Sequence, residues 1–152
     1  MRKIALLAGA GSAAMLLGAL YFQYFMDLPP CKMCIWQRWP HGIAIALGLL
    51  AYFLPLRVFA LLGAAIVLVG AAIAGYHAGV EIGLFEGPNS CTGGFLTAEN
   101  IPLFGEDKPN DVVLCDEVVW SLFGLSMAAW NGIISLGLAG IWLFAFRKGT
   151  PA

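Results

Sequence analysis

The chain has 152 residues, 61% of them hydrophobic and 11% charged, with a mean hydropathy of +0.85, whereas a soluble domain carries about one quarter charged residues. Eight Lys and Arg against nine Asp and Glu leave a formal net charge of -1. That excludes the polycationic surface that follows a phosphate backbone, so nucleic acid is not an expected partner, and the excess of apolar surface points to the lipid bilayer instead.

A length of this order predicts a single domain, residues 1–152. Crossing roughly 30 Å of hydrocarbon takes about 20 mostly apolar residues in a helix, and Ile4 to Met26 supplies that length without a charge. A secretory signal peptide has a shorter apolar region, about 7 to 15 residues, with small residues at its cleavage site. This run is longer and has no convincing site of that kind, so it reads as span one. Ile43 to Leu54 is too short alone but reaches spanning length when extended back to Ile35, which puts Arg38 and Pro40 in the outer turn of span two. After the turn Pro55-Leu56-Arg57 comes span three, Val58 to Tyr76, and Leu125 to Phe146 is span four. The fold class expected is therefore all-α: an integral membrane four-helix bundle with spans at about 4–26, 35–54, 58–76 and 125–146.

Positive charge orients the spans. Arg2, Lys3, Arg57, Arg147 and Lys148 fall on one side and only Lys32, Arg38 and Lys108 on the other, so both termini are expected in the cytoplasm. All nine acidic residues, from Asp27 to Glu117, fall on the far side, together with Cys31, Cys34, Cys91 and Cys115. In a bacterium that side is the periplasm, where disulfides form and persist.

The extended polar region, about residues 81–124, is the expected periplasmic loop between spans three and four. Its "GPNSCTGG" segment reads as turns and flexible backbone around a mobile Cys91. Further on, "DVVLCDEVVWSLFGL" mixes apolar and acidic residues, which predicts a short helix in the membrane interface with Trp120 at headgroup level.

The four cysteines can pair in several ways, and counting does not choose among them. In Cys31-Lys32-Met33-Cys34 the spacing lets both sulfurs meet in a first helical turn, where free amides stabilise a thiolate. Arg38 follows Cys34 by one helical turn, which puts their Cβ atoms about 5 to 6 Å apart on one face. Its guanidinium would favour the thiolate and stabilise negative charge on a reduced electron acceptor. The alternatives are a structural disulfide, or half of a zinc site completed by Cys91 and Cys115. Zinc sites usually bring two close-spaced ligand pairs, and Cys91 and Cys115 lie far apart in an oxidising compartment. Arg38 alone could equally be an interfacial arginine reaching for headgroups. Trp36 and Trp39 read first as aromatic-belt anchors, although an apolar ring near Cys34 would meet them. His77 and His41 titrate near neutral pH and suit proton delivery; the plainer reading of each is an interfacial polar residue. Glu81, four residues after His77, is placed to orient it.

Pro30-Cys31-Lys32-Met33-Cys34 with Arg38 at the head of the second of four spans, and a second cysteine pair in the loop before the fourth, resembles the DsbB disulfide-bond formation family. "WPHG" after Arg38, "YHAGVE" before Cys91 and "SMAAWN" opening span four are similar too, and the likeness covers nearly the whole chain. The resemblance implies an enzyme, a protein-dithiol:quinone oxidoreductase of the bacterial inner membrane. It would reoxidise a periplasmic DsbA-like thiol oxidase and pass the electrons to the membrane quinone pool, ubiquinone or menaquinone; such a relay keeps the periplasm oxidising. By position, the resemblance makes Cys91 the sulfur attacked by the partner and Cys115 its internal disulfide partner. Cys31 receives the attack of Cys115, and Cys34 is the thiolate facing the quinone. Arg38 and His77 would hold the quinone, with Trp36 and His41 as further contacts and no metal.

Two rivals stand beside it. A vitamin K epoxide reductase-like enzyme is also a four-helix, four-cysteine design, but its short-spaced pair lies late in the bundle. A non-enzymatic, disulfide-stapled membrane protein leaves the Cys34–Arg38 adjacency without a role.

Overall fold

The computed structural model describes residues 1–88, 91 and 113–149. Its elements are α1 (Arg2–Phe25), α2 (Lys32–Phe53), α3 (Arg57–Glu81), β1 (Ser121–Leu122), β2 (Leu125–Ser126) and α4 (Met127–Arg147). Each helix packs on two neighbours, α1 and α3 both lying between α2 and α4. Most of the polar region expected over 81–124, including Lys108, lies outside the described residues.

The bundle is apolar on the outside and small on the inside. Leu7, Leu17, Phe25, Phe53 and Leu136 are exposed, while Ala5, Ala8, Ala44, Ala51, Ala60, Ala64 and Ala74 are buried. In lipid, apolar surface has nowhere better to go, so helices associate where small residues let backbones approach. Gly48 is the tightest such point between α1 and α2: a Cβ there would meet Gly9 Cα at 3.1 Å and the Ala5 carbonyl oxygen at 3.2 Å. Both are backbone and cannot swing aside. Gly48→Val is therefore expected to destabilise the bundle by about 1–3 kcal/mol, read as a lower thermal midpoint in detergent. Gly137→Ala, with nothing within 4 Å of its Cβ position, should leave that midpoint unchanged.

α1, α3 and α4 are long and apolar enough to cross a membrane. α2 has the length but not the apolarity, because Gln37, Arg38 and His41 occupy its outer half. Gln37 and His41 are buried, which is how a polar residue is tolerated in a spanning helix. α3 runs past the expected end at Tyr76 to Glu81, since its polar last turn faces the bundle and the backbone bonding continues. The expected interfacial helix around Cys115 is not what forms. Among the described residues 113–126 there is a turn at Cys115 and then a hairpin, Ser121 paired with Ser126 and Leu122 with Leu125. Its two-residue loop has Phe123 at φ 53 and Gly124 at φ 78, the positive-φ pair that matches the twist of a tight hairpin. Trp120 packs on Phe22 of α1, ring centroids 5.0 Å apart.

Candidate active site

Pro29 and Pro30 set an extended approach, and α2 starts immediately after Cys31. Helix N-terminal amides lack partners, and here the Cys31 sulfur accepts from the Cys34 N–H at 3.1 Å. The motif is thus the first turn of α2, three residues earlier than the expected span. The Cys31 and Cys34 thiols are free, their sulfurs 2.7 Å apart. The hydrogen bond to the Cys34 sulfur, reinforced by burial, pushes the Cys31 thiol far above its ordinary range. When the pair carries a negative charge, that charge sits on Cys34.

Cys91 and Cys115 form a disulfide, Cα atoms 5.3 Å apart. The fold brings all four cysteines together: Cys31, Cys91 and Cys115 share one buried cluster with Met33, and Cys34 packs against it. Cys91, expected on a mobile segment, is only 6% exposed.

A chain of polar contacts runs from this cluster through three helices. His77 Nε2 lies 3.6 Å from Cys31 Sγ, and its Nδ1 is 2.7 Å from Gln37 Nε2. Asn131 of α4 donates to Gln37 Oε1 at 2.6 Å, and its own Oδ1 accepts from His41 Nε2 at 2.9 Å. Glu81 is not the residue that orients His77. Its Oε1 is 3.9 Å from Nε2, too long for a hydrogen bond, and its other oxygen accepts from the Ser126 hydroxyl.

Beside the cluster is a cavity of about 360 Å³ walled by α1, α2, the end of α3, α4 and the hairpin. Met15, Leu16, Phe22, Trp120, Trp130 and Ile134 make its apolar wall; Cys31, Cys34, Arg38, His41 and His77 also line it. Arg38 Nη1 donates to Gln23 Oε1 at 2.7 Å, while Arg38 Nε and His41 Nδ1 are buried without a partner. Trp36 is 41% exposed and stands outside the wall, because two residues along a helix turn it away from the Cys34 face. Gln37 and Asn131 went unread in the sequence. Asn131 is the sole amide side chain of α4, and a lone amide in an apolar span is the signal that would have found it.

Cys31, Cys34 and His77 have the composition of a metal site, donor atoms within 4.8 Å of one another. A metal-bound histidine normally donates its second N–H outward. The second nitrogen of His77, Nδ1, instead faces the Gln37 amide nitrogen at 2.7 Å.

A family model described as "Disulfide bond formation protein DsbB" matches residues 1–145. The chain belongs to the DsbB family. Relatives named "Disulfide bond formation protein B" include one from Methylococcus capsulatus, 39% identical over 140 residues, covering 86% of this chain and 85% of the relative. Another, from Mannheimia succiniciproducens, is 29% identical over 150 residues, covering 88% and 80%. A third, from Haemophilus influenzae, is 34% identical over 131 residues, covering 76% and 69%. No solved structure gives a significant match. With its apolar helices, the chain is a membrane oxidoreductase of disulfide-bond formation.

Proposed function

We propose that the chain reoxidises a periplasmic dithiol oxidase of the DsbA type and passes the two electrons to a membrane quinone. The observation that carries this reading is the packing of both cysteine pairs in one cluster, whose Cys31 and Cys34 line an apolar cavity that also holds an arginine N–H without a partner among the described residues. Exchange needs a thiolate in line with a disulfide, and the cluster supports this by packing Cys115 and Cys31 into one group.

The partner's thiolate attacks Cys91, and Cys115 leaves as a thiolate. Cys115 attacks Cys31 of an oxidised Cys31–Cys34 pair, and Cys34 is released. The partner's second thiolate closes its own disulfide and frees Cys91, which attacks Cys115 and expels Cys31. The Cys91–Cys115 disulfide with free Cys31 and Cys34 is the state reached at that point. A quinone supplies the remaining oxidation, accepting two electrons and two protons overall. The residues fit one: the apolar wall takes a ring, and the Arg38 Nε–H suits a ring oxygen, which can only accept. His41, His77, Glu81 and Glu117 line the same cavity and can titrate beside it.

The same reading gives the topology. Arg2, Arg57 and Arg147 mark the end of the bundle opposite the cysteines, so that end is cytoplasmic and the cysteines are periplasmic in a bacterial inner membrane. The test is anaerobic: purified protein, a reduced DsbA-like dithiol and a soluble quinone, with quinol formation followed by absorbance. One quinol per partner disulfide is expected; partner oxidation with no quinol sinks the proposal.

A further inference from the structure

One contact selects the orientation of Gln37. Its amide end lies 3.3 Å from the Met33 backbone carbonyl, and a carbonyl only accepts, so the atom there is the nitrogen. The same nitrogen faces His77 Nδ1 at 2.7 Å. An amide NH₂ offers no lone pair, so Nδ1 accepts and the neutral ring carries its proton on Nε2. Oε1, at the other end, takes the Asn131 N–H. Asn131 is thereby turned with Oδ1 toward the His41 Nε2–H and the Ser135 hydroxyl. One backbone carbonyl in α2 sets the tautomer of both histidines in the chain.

We infer that Gln37 is a positioning residue that holds neutral His77 as the Nε2–H tautomer, so that the ring donates to the Cys31 sulfur as that sulfur leaves. Asn131 completes the device by holding the Gln37 oxygen. The inference rests on the relay proposed above. In its last exchange the Cys91–Cys115 bond forms, the Cys115–Cys31 bond breaks and the electron pair stays on Cys31; no proton leaves the ring. Cys34 already carries the charge released earlier, and two adjacent thiolates repel. A donor N–H at 3.6 Å from Cys31 Sγ lowers that cost, whereas the other tautomer would aim a lone pair at the leaving thiolate. The reluctance of the Cys31 thiol to ionise beside Cys34 shows why a donor is needed there. The other groups facing the ring are the Cys34 sulfur, Glu81 Oε1 at 3.9 Å and the Cys115 backbone carbonyl, a second acceptor for the ring N–H in the resting state.

Nitrogen-15 NMR of histidine-labelled protein in nanodiscs, without partner or quinone, reads the tautomer. Both neutral rings are expected to show a bare Nδ1 and a protonated Nε2. Gln37→Glu keeps the shape but makes both ends acceptors, so His77 Nδ1 must carry hydrogen and Nε2–H exists only in the charged ring. The rate of Cys31–Cys115 resolution in that variant, divided by the parent's, is then expected to fall roughly tenfold as pH rises through the His77 titration. A parent whose neutral His77 is protonated on Nδ1, or a ratio that stays flat with pH, overturns the inference. A parent with the expected tautomer that makes no quinol overturns the relay and leaves the tautomer assignment standing.

Discussion

Cys34→Ser is expected to abolish catalytic quinol formation, a loss on the order of 10³-fold or more, the scale seen when the nucleophile of a concerted site is removed. The Cys91–Cys115 disulfide remains in that variant, so one equivalent of partner dithiol should still be oxidised per chain before the reaction stops. That burst without turnover separates a chemical role from a folding defect, which would remove both. The reason lies in the first turn of α2. The Cys31 thiol keeps its proton and shares it with the Cys34 sulfur at 2.7 Å, so Cys34 is the sulfur able to carry charge at the cavity wall. Serine cannot form with Cys31 the disulfide that Cys115 must attack. Equal turnover in parent and variant would return the Cys31–Cys34 pair to a structural role.

Arg38→Met should raise the apparent KM for a soluble quinone by about 10- to 100-fold, the range for a lost hydrogen bond from a charged group. The KM for the reduced partner should not move. Gln23 holds one arm of the guanidinium at 2.7 Å while Nε stays buried and unpartnered, which leaves a donor fixed in direction and free to bind. Methionine preserves much of the apolar stem and removes only the donors and the charge. An unchanged quinone dependence would make Arg38 an interfacial arginine that reaches for headgroups.

The helices were legible because the bilayer imposes a length on apolar runs: the four runs expected from hydropathy fall on α1 through α4, of which α1, α3 and α4 are long and apolar enough to cross a membrane. Their ends were less so. Hydropathy falls at His77, but hydrogen bonding does not stop where polarity begins, and α3 continues to Glu81 because that turn faces protein. The stretch around Cys115 was misread for a related reason. Its mixture of apolar and acidic residues fits an interfacial helix as well as a hairpin, and the Phe123–Gly124 turn that decides between them is a matter of two backbone angles. Cys31, Cys34 and Arg38 were picked out by their spacing, and the structure brings them to the wall of one cavity. Trp36 was placed near the site by proximity in sequence and is turned out of it by helical periodicity.

What the sequence determined by itself is the class of molecule: its apolar content, its long apolar runs, and a short-spaced cysteine pair followed by arginine. These follow from composition and short-range spacing, which need no knowledge of neighbours. Only the tertiary structure joined Cys91 and Cys115 to the α2 pair, closed the cavity and tied Gln37 of α2 to His77 of α3 and Asn131 of α4. The physical reason is that such hydrogen bonds and sulfur contacts depend on ångström-scale distances between helices, and those distances are set by where glycine and alanine let the helices approach.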